Sequence, residues 1–210
     1  MSPKKLLDAL FDADKKLRDA EEHLLAHPSG DELSQLLHQA TEQALSMEDA
    51  REGAARLIRL CDLCAQVQGP RMADTLIHIL NQDDPQVRVA AGEALRDFAY
   101  DRYAEVARAI ERAFEGDQDG PALEELPWIL AEIAEPSAVP LIARALEHPR
   151  ATVVASAIEA LSELGDPEAA PLLKPLLKDR RTVELEEGET TYSTTVGELA
   201  EEALAELAER

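Results

Sequence analysis

A self-similarity at a spacing of about 31 residues constrains this chain more than any other feature. The segment AEPSAVPLIARAL at 134–146 aligns without gaps on GDPEAAPLLKPLL at 165–177. Each begins with an acidic residue followed by proline (Glu135-Pro136, Asp166-Pro167), the chemistry of a helix start. A second pair of segments lies two repeats apart. Val87, Ala91, Ala94, Leu95 and Phe98 correspond to Val153, Ala157, Ala160, Leu161 and Leu164. A unit this short cannot bury its apolar face alone, so such units fold by stacking on one another.

The composition suits stacked helices. Hydrophobic residues make up 45% of the 210, yet aromatics only 3%. Cores built from Ala, Leu, Ile and Val let helix axes approach closely, and Ala has the highest helix propensity. The formal net charge of −22 argues against a broad phosphate-binding surface and against anionic membranes. It is compatible with a basic protein partner. With no signal-peptide pattern at the start and no run long enough to cross a bilayer, the sequence predicts a cytoplasmic protein.

Taken in order, apolar spacing predicts helices at 3–26, 31–45 and 50–67, then 71–81 with 86–99, a divergent pair at 101–115 and 121–134, and the repeat segments at 134–146 and 152–164. The last pair is 168–178 and 197–208, restoring the alanine pattern at Ala200, Ala203, Leu204 and Leu207. Between these two helices, Val183, Leu185, Tyr192 and a run of threonines around Gly188 predict a β-hairpin inserted at 180–196. The reading is all-α: a right-handed α-solenoid of about five antiparallel helix pairs carrying one hairpin. Residues 1–48 are expected to cap an array that spans 49–210.

The string Asp84, Pro85, Val87, Arg88, Ala91, Ala94, Leu95 has the D-P-x-V-R-x-x-A-x-x-A-L form of HEAT repeats, and the chain resembles the bacterial type found in phycobilisome-lyase-like HEAT proteins. The resemblance implies an α-solenoid whose second helices line a concave face used for protein binding. By analogy alone it also offers an alternative, a lyase or chaperone-like factor handling a tetrapyrrole.

Candidate sites follow from the helical wheel. Trp128 lies about 200° from Leu130, on the side opposite the stripe of Leu123, Leu126, Ile129, Leu130 and Ile133. A lone tryptophan on an inner face is the residue type that anchors interfaces. Against this, Pro127 could kink the helix and turn Trp128 into the core. The same wheel directs Val89, Glu93 and Arg96, and then Ala155, Glu159 and Ser162, outward. Arg88 falls at the boundary, and Glu124 and Glu132 flank Trp128. On the hairpin, Tyr192 and its threonines offer an aromatic and hydroxyls, and Glu184, Glu186, Glu187 and Glu189 make one strand acidic. The expected partner-binding residues are thus Arg88, Glu93, Arg96, Glu124, Trp128, Glu132, Glu159 and Tyr192.

Cys61-x-x-Cys64 lacks the second ligand pair a zinc site needs and falls on the helix stripe, so it reads as core. His23 and His27, four apart, lack the glutamate of a zinc-protease helix. No phosphate loop or nucleophile elbow is present. The expectation is a non-enzymatic scaffold or adaptor without cofactor or metal, holding a partner protein on its concave face and hairpin. The oligomeric state is left open.

Overall fold

Proline opens several of the helices, because its missing N–H costs nothing in the first turn, where no intrahelical acceptor exists. In the computed structural model, which describes residues 1–27, 29–116, 119–187 and 190–209, Pro3, Pro70 and Pro85 start α1 (Pro3–Leu25), α4 (Pro70–Leu80) and α5 (Pro85–Glu115). The remaining helices are α2 (Gly30–Leu45), α3 (Ala50–Gln66), α6 (Ala122–Ile133), α7 (Ala138–Ala145), α8 (Ala151–Leu164), α9 (Ala170–Leu173) and α10 (Val196–Glu209). The sequence readings that fall on Pro28, Asp117, Gln118, Gly188, Glu189 and Arg210 lie outside the described residues.

Following α1, the helices make five antiparallel pairs. α5 supplies two of the members, because Arg102 (φ −141°, ψ 40°) breaks it into arms at 85–101 and 103–115. The sequence predicts two helices here; the chain turns the corner with one non-helical residue. The Arg102 guanidinium is held there, 4.7 Å from the Phe98 ring centroid and donating to the Val67 carbonyl at 2.9 Å. The second helices α3, α5 (first arm), α6, α8 and α10 pack in succession, each against the next. Each pair thereby shields the apolar flank of its neighbour, which makes the fold an α-solenoid.

The core runs the length of the array. Leu57, Leu76, Leu95, Ile110, Leu123, Leu130, Ile142, Ile158, Leu161 and Leu173 are all buried. Leu36 of α2 is exposed. α1 is different again, with no buried residue: only Leu24 and Leu25 pack on the body, while Leu6, Leu7, Leu10 and Phe11 are more than half exposed.

In the last pair, the first member is short because Pro171 and Pro175 interrupt the ladder. It consists of α9 between 3-10 turns at Pro167–Ala169 and Lys174–Lys178. Then comes the predicted hairpin, β1 (Thr182–Glu187) antiparallel to β2 (Thr190–Thr195), with Leu185 opposite Tyr192. β2 runs into α10 without a loop. A reciprocal capping box makes this possible: Thr195 N–H donates to Glu198 Oε2 at 2.8 Å, and Glu198 N–H donates to Thr195 Oγ1 at 3.2 Å. Gly197 sits so close to the preceding turn that a Cβ would lie 2.9 Å from the Asp179 carbonyl oxygen.

Candidate functional site

The hairpin base is fastened by one arginine. Arg181 donates to both oxygens of Asp179 and, across one repeat, to the carbonyls of His148 (2.8 Å) and Pro149 (3.1 Å). The guanidinium beside Asp179 holds its carboxyl below the usual range. One repeat earlier, Arg150 does the same to the preceding turn, donating to Gly120 O at 2.9 Å and Asp119 Oδ1 at 3.0 Å. These contacts fix the hairpin relative to α8, and they fix where Tyr192 lies.

Tyr192 lies in a groove with Trp128. A cavity of about 280 Å³ is lined by Trp128 from α6, Ile158, Glu159, Ser162 and Glu163 from α8, Tyr192 from β2, and Leu199, Glu202, Ala203 and Glu206 from α10. Trp128 is half-buried: one side packs on the core while the indole still forms part of the groove wall. Pro127, within α6, is buried and leaves α6 a continuous helix, so Trp128 is neither sealed inside nor fully free.

Four carboxylates and no Lys or Arg stand among the described residues that line this groove. Glu206 Oε2 accepts a hydrogen bond from Ser162 Oγ at 2.5 Å. Burial, and then the charge of Glu202, push the Glu159 carboxyl above its ordinary range. Both causes disfavour the negative charge of Glu159 in the groove.

The structure therefore brings together three of the expected residues: Trp128, Glu159 and Tyr192. Two others on the same outward face, Ala155 and Ser162, are buried, because α10 packs across α8 where the wheel of an isolated helix leaves open space. Arg88 and Arg96 line a separate cavity of about 190 Å³ with Gly92, Glu125 and Ile129. There Arg96 pairs with Glu132 at 2.6 Å and Arg88 approaches Glu125 at 3.5 Å. Arg88 also donates to the carbonyls of Gln82 and Asp83, tying down its own turn. Glu93 is exposed beside Val89. Glu124 accepts from Thr152 Oγ1 at 2.7 Å and pairs with Arg150, away from the Trp128 groove.

Glu202 and Glu206 were missed by sequence reasoning. They recur every four residues with Glu198 on α10, a spacing that places them on one helix face. The arginines at 150 and 181 were also missed, although their separation of 31 is the repeat length itself.

Cys61 and Cys64 are fully buried, and burial pushes both thiols up to about 12, so they remain protonated at neutral pH. Among the described residues no group of three or more His, Cys, Asp or Glu is placed to hold a metal ion. No described helix is long and apolar enough to cross a membrane.

One family of known proteins matches part of this chain. The family described as HEAT repeats matches residues 109–187, from the second arm of α5 through β1. A comparison with curated proteins gives no match. Among solved structures, human deoxyhypusine hydroxylase in complex with glycerol is similar at 20% identity and a TM-score of 0.46, over 86% of this chain and 64% of that one. An engineered protein is similar at 17% identity and a TM-score of 0.36, over 91% and 97%. A designed armadillo repeat protein in complex with the peptide (KR)4 is similar at 15% identity and a TM-score of 0.35, over 90% and 98%. The family match is to HEAT repeats in general and does not reach the phycobilisome-lyase type. The match to the HEAT-repeat family thus covers residues 109–187, within an α-solenoid that extends on both sides of them.

Proposed function

We propose that this protein is a non-enzymatic, cytoplasmic scaffold that captures a basic segment of a partner protein in the groove between Trp128 and Tyr192. The observation that carries the reading is the meeting of these two aromatics, contributed by α6 and by the inserted hairpin, in one groove edged by Glu159, Glu163, Glu202 and Glu206. A lysine or arginine side chain entering the groove finds aromatic surface for its stem and head, at about 0.5–2 kcal/mol per cation–π contact. It also finds carboxylates that gain from its charge. The acidity of the whole chain would speed the encounter and make it salt-dependent. Protein rather than nucleic acid is the partner class, since the same field repels phosphate.

Calorimetric titration with an alternating Lys-Arg octapeptide tests this reading. Saturable binding that weakens with added salt is expected, together with at least a roughly tenfold loss in an E202Q/E206Q variant, in line with removing two carboxylate contacts. Equal binding of a Glu-rich octapeptide, or no effect of the variant, would refute it.

A further inference from the structure

The arm formed by α1 stands apart from that groove. From Met1 through Ala20 every residue is exposed, and the helix meets the body only near its end, through Leu24, Leu25 and the Glu21–Arg59 ion pair at 3.2 Å. At about 1.5 Å per residue, the uncovered part projects by roughly 27 Å. A free helix of this length is marginal in water, and its stability normally comes from packing an apolar face.

Such a face is present. Leu6, Leu10, Ala13, Leu17, Ala20 and Leu24 follow one another at spacings of four, three, four, three and four. This is the a/d alternation of a coiled-coil seam held over nearly three heptads. Leu7 and Phe11, themselves four apart, widen it along one edge. Leu6, Leu7, Leu10, Phe11 and Leu17 are all exposed, and no described residue covers them.

Charge identifies the occupant. Residues 3–26 carry five Lys/Arg against six Asp/Glu, so α1 is nearly balanced while almost all of the net −22 lies on the body. A second α1 can approach this helix without the repulsion that a second body would meet. The seam is also self-complementary, as a two-fold interface requires.

We propose that α1 is a dimerisation helix, pairing through its Leu6–Leu10–Leu17 seam with α1 of a second copy of the chain. An antiparallel arrangement sets the two acidic bodies at opposite ends of the pair. It leaves both Trp128 grooves open, so the dimer would present two capture sites.

Sedimentation of the 210-residue protein over a range of micromolar concentrations reads this directly. The expected result is a mass rising from monomer to dimer with concentration. An L10E/L17E variant is expected to weaken self-association at least about a hundredfold. Because neither side chain contacts the core, that variant should keep the wild-type melting temperature and the wild-type peptide affinity of the groove. A wild-type protein that stays monomeric, one that stays monomeric yet cosediments with anionic phospholipid vesicles, or a variant that dimerises as well as wild type would each overturn the proposal. Failure of peptide capture in the groove leaves this outcome unaffected.

Discussion

Ala134 and Gly165 occupy equivalent places in the repeat and adopt the same left-handed backbone, with φ of 52° and 66°, at the ends of α6 and α8. Glycine takes this conformation freely, whereas an L side chain pays about 1 kcal/mol for it. Ala134→Gly is therefore expected to stabilise the protein by about 0.5–1 kcal/mol, seen as a rise of about 1–4 °C in melting temperature. Glu159 makes the opposite kind of case, in which stability and function pull apart. Its carboxyl titrates above the unfolded value, so the native state binds the proton more tightly. Its contribution is favourable below the unfolded value and is lost as pH rises through the folded one. At neutral pH, Glu159→Gln is expected to raise the melting temperature while weakening binding of the Lys-Arg peptide. A variant that lost both stability and binding would show that Glu159 is structural instead.

At the scale of elements, the hairpin is the part that turns a repeat array into a site. Thr195→Ala removes one half of the capping box at the start of α10 and is expected to cost about 1 kcal/mol. Arg181→Ala should cost more locally than globally. It frees the hairpin base from the His148 and Pro149 carbonyls, so amide exchange in β1 and β2 should accelerate while that in α3 to α5 stays unchanged. The Asp179 carboxyl is depressed by the same arginine, so the support it gives is present above the unfolded carboxylate range and is lost as pH falls through the lower folded value.

The hairpin also marks how far the sequence could be read. Its strands were legible from Val183, Leu185, Tyr192 and the threonines, since β-branched and aromatic residues interrupt an alanine-rich chain. Its docking was not, because Trp128 and Tyr192 are brought together across α8 and α10 from places far apart in sequence. A helical wheel speaks for one helix at a time. It directed Ser162 to the surface, whereas Ser162 is buried and bonded to Glu206 of the next layer.

For the whole molecule, layers that touch only their neighbours make stability roughly a sum of local terms. Leu130→Ala, in the middle of the stack, is expected to cost about 2–5 kcal/mol. It should act most strongly on α5, α6 and α8, the second helices that adjoin it. The same one-dimensional order explains why the groove appears where it does. The last pair carries an insertion, the hairpin leans toward the second-helix face, and the face of α8 that would otherwise be plain becomes the floor between two aromatic walls.

Trp128 is the single tryptophan of the chain, so its emission reports on the groove alone. Titrating the protein with the Lys-Arg octapeptide while following that emission tests the central claim most directly. The account predicts a saturable change that shrinks with added salt and is much reduced in a Tyr192→Ala variant. An emission spectrum untouched by the peptide, while the peptide binds elsewhere on the acidic surface, would contradict it.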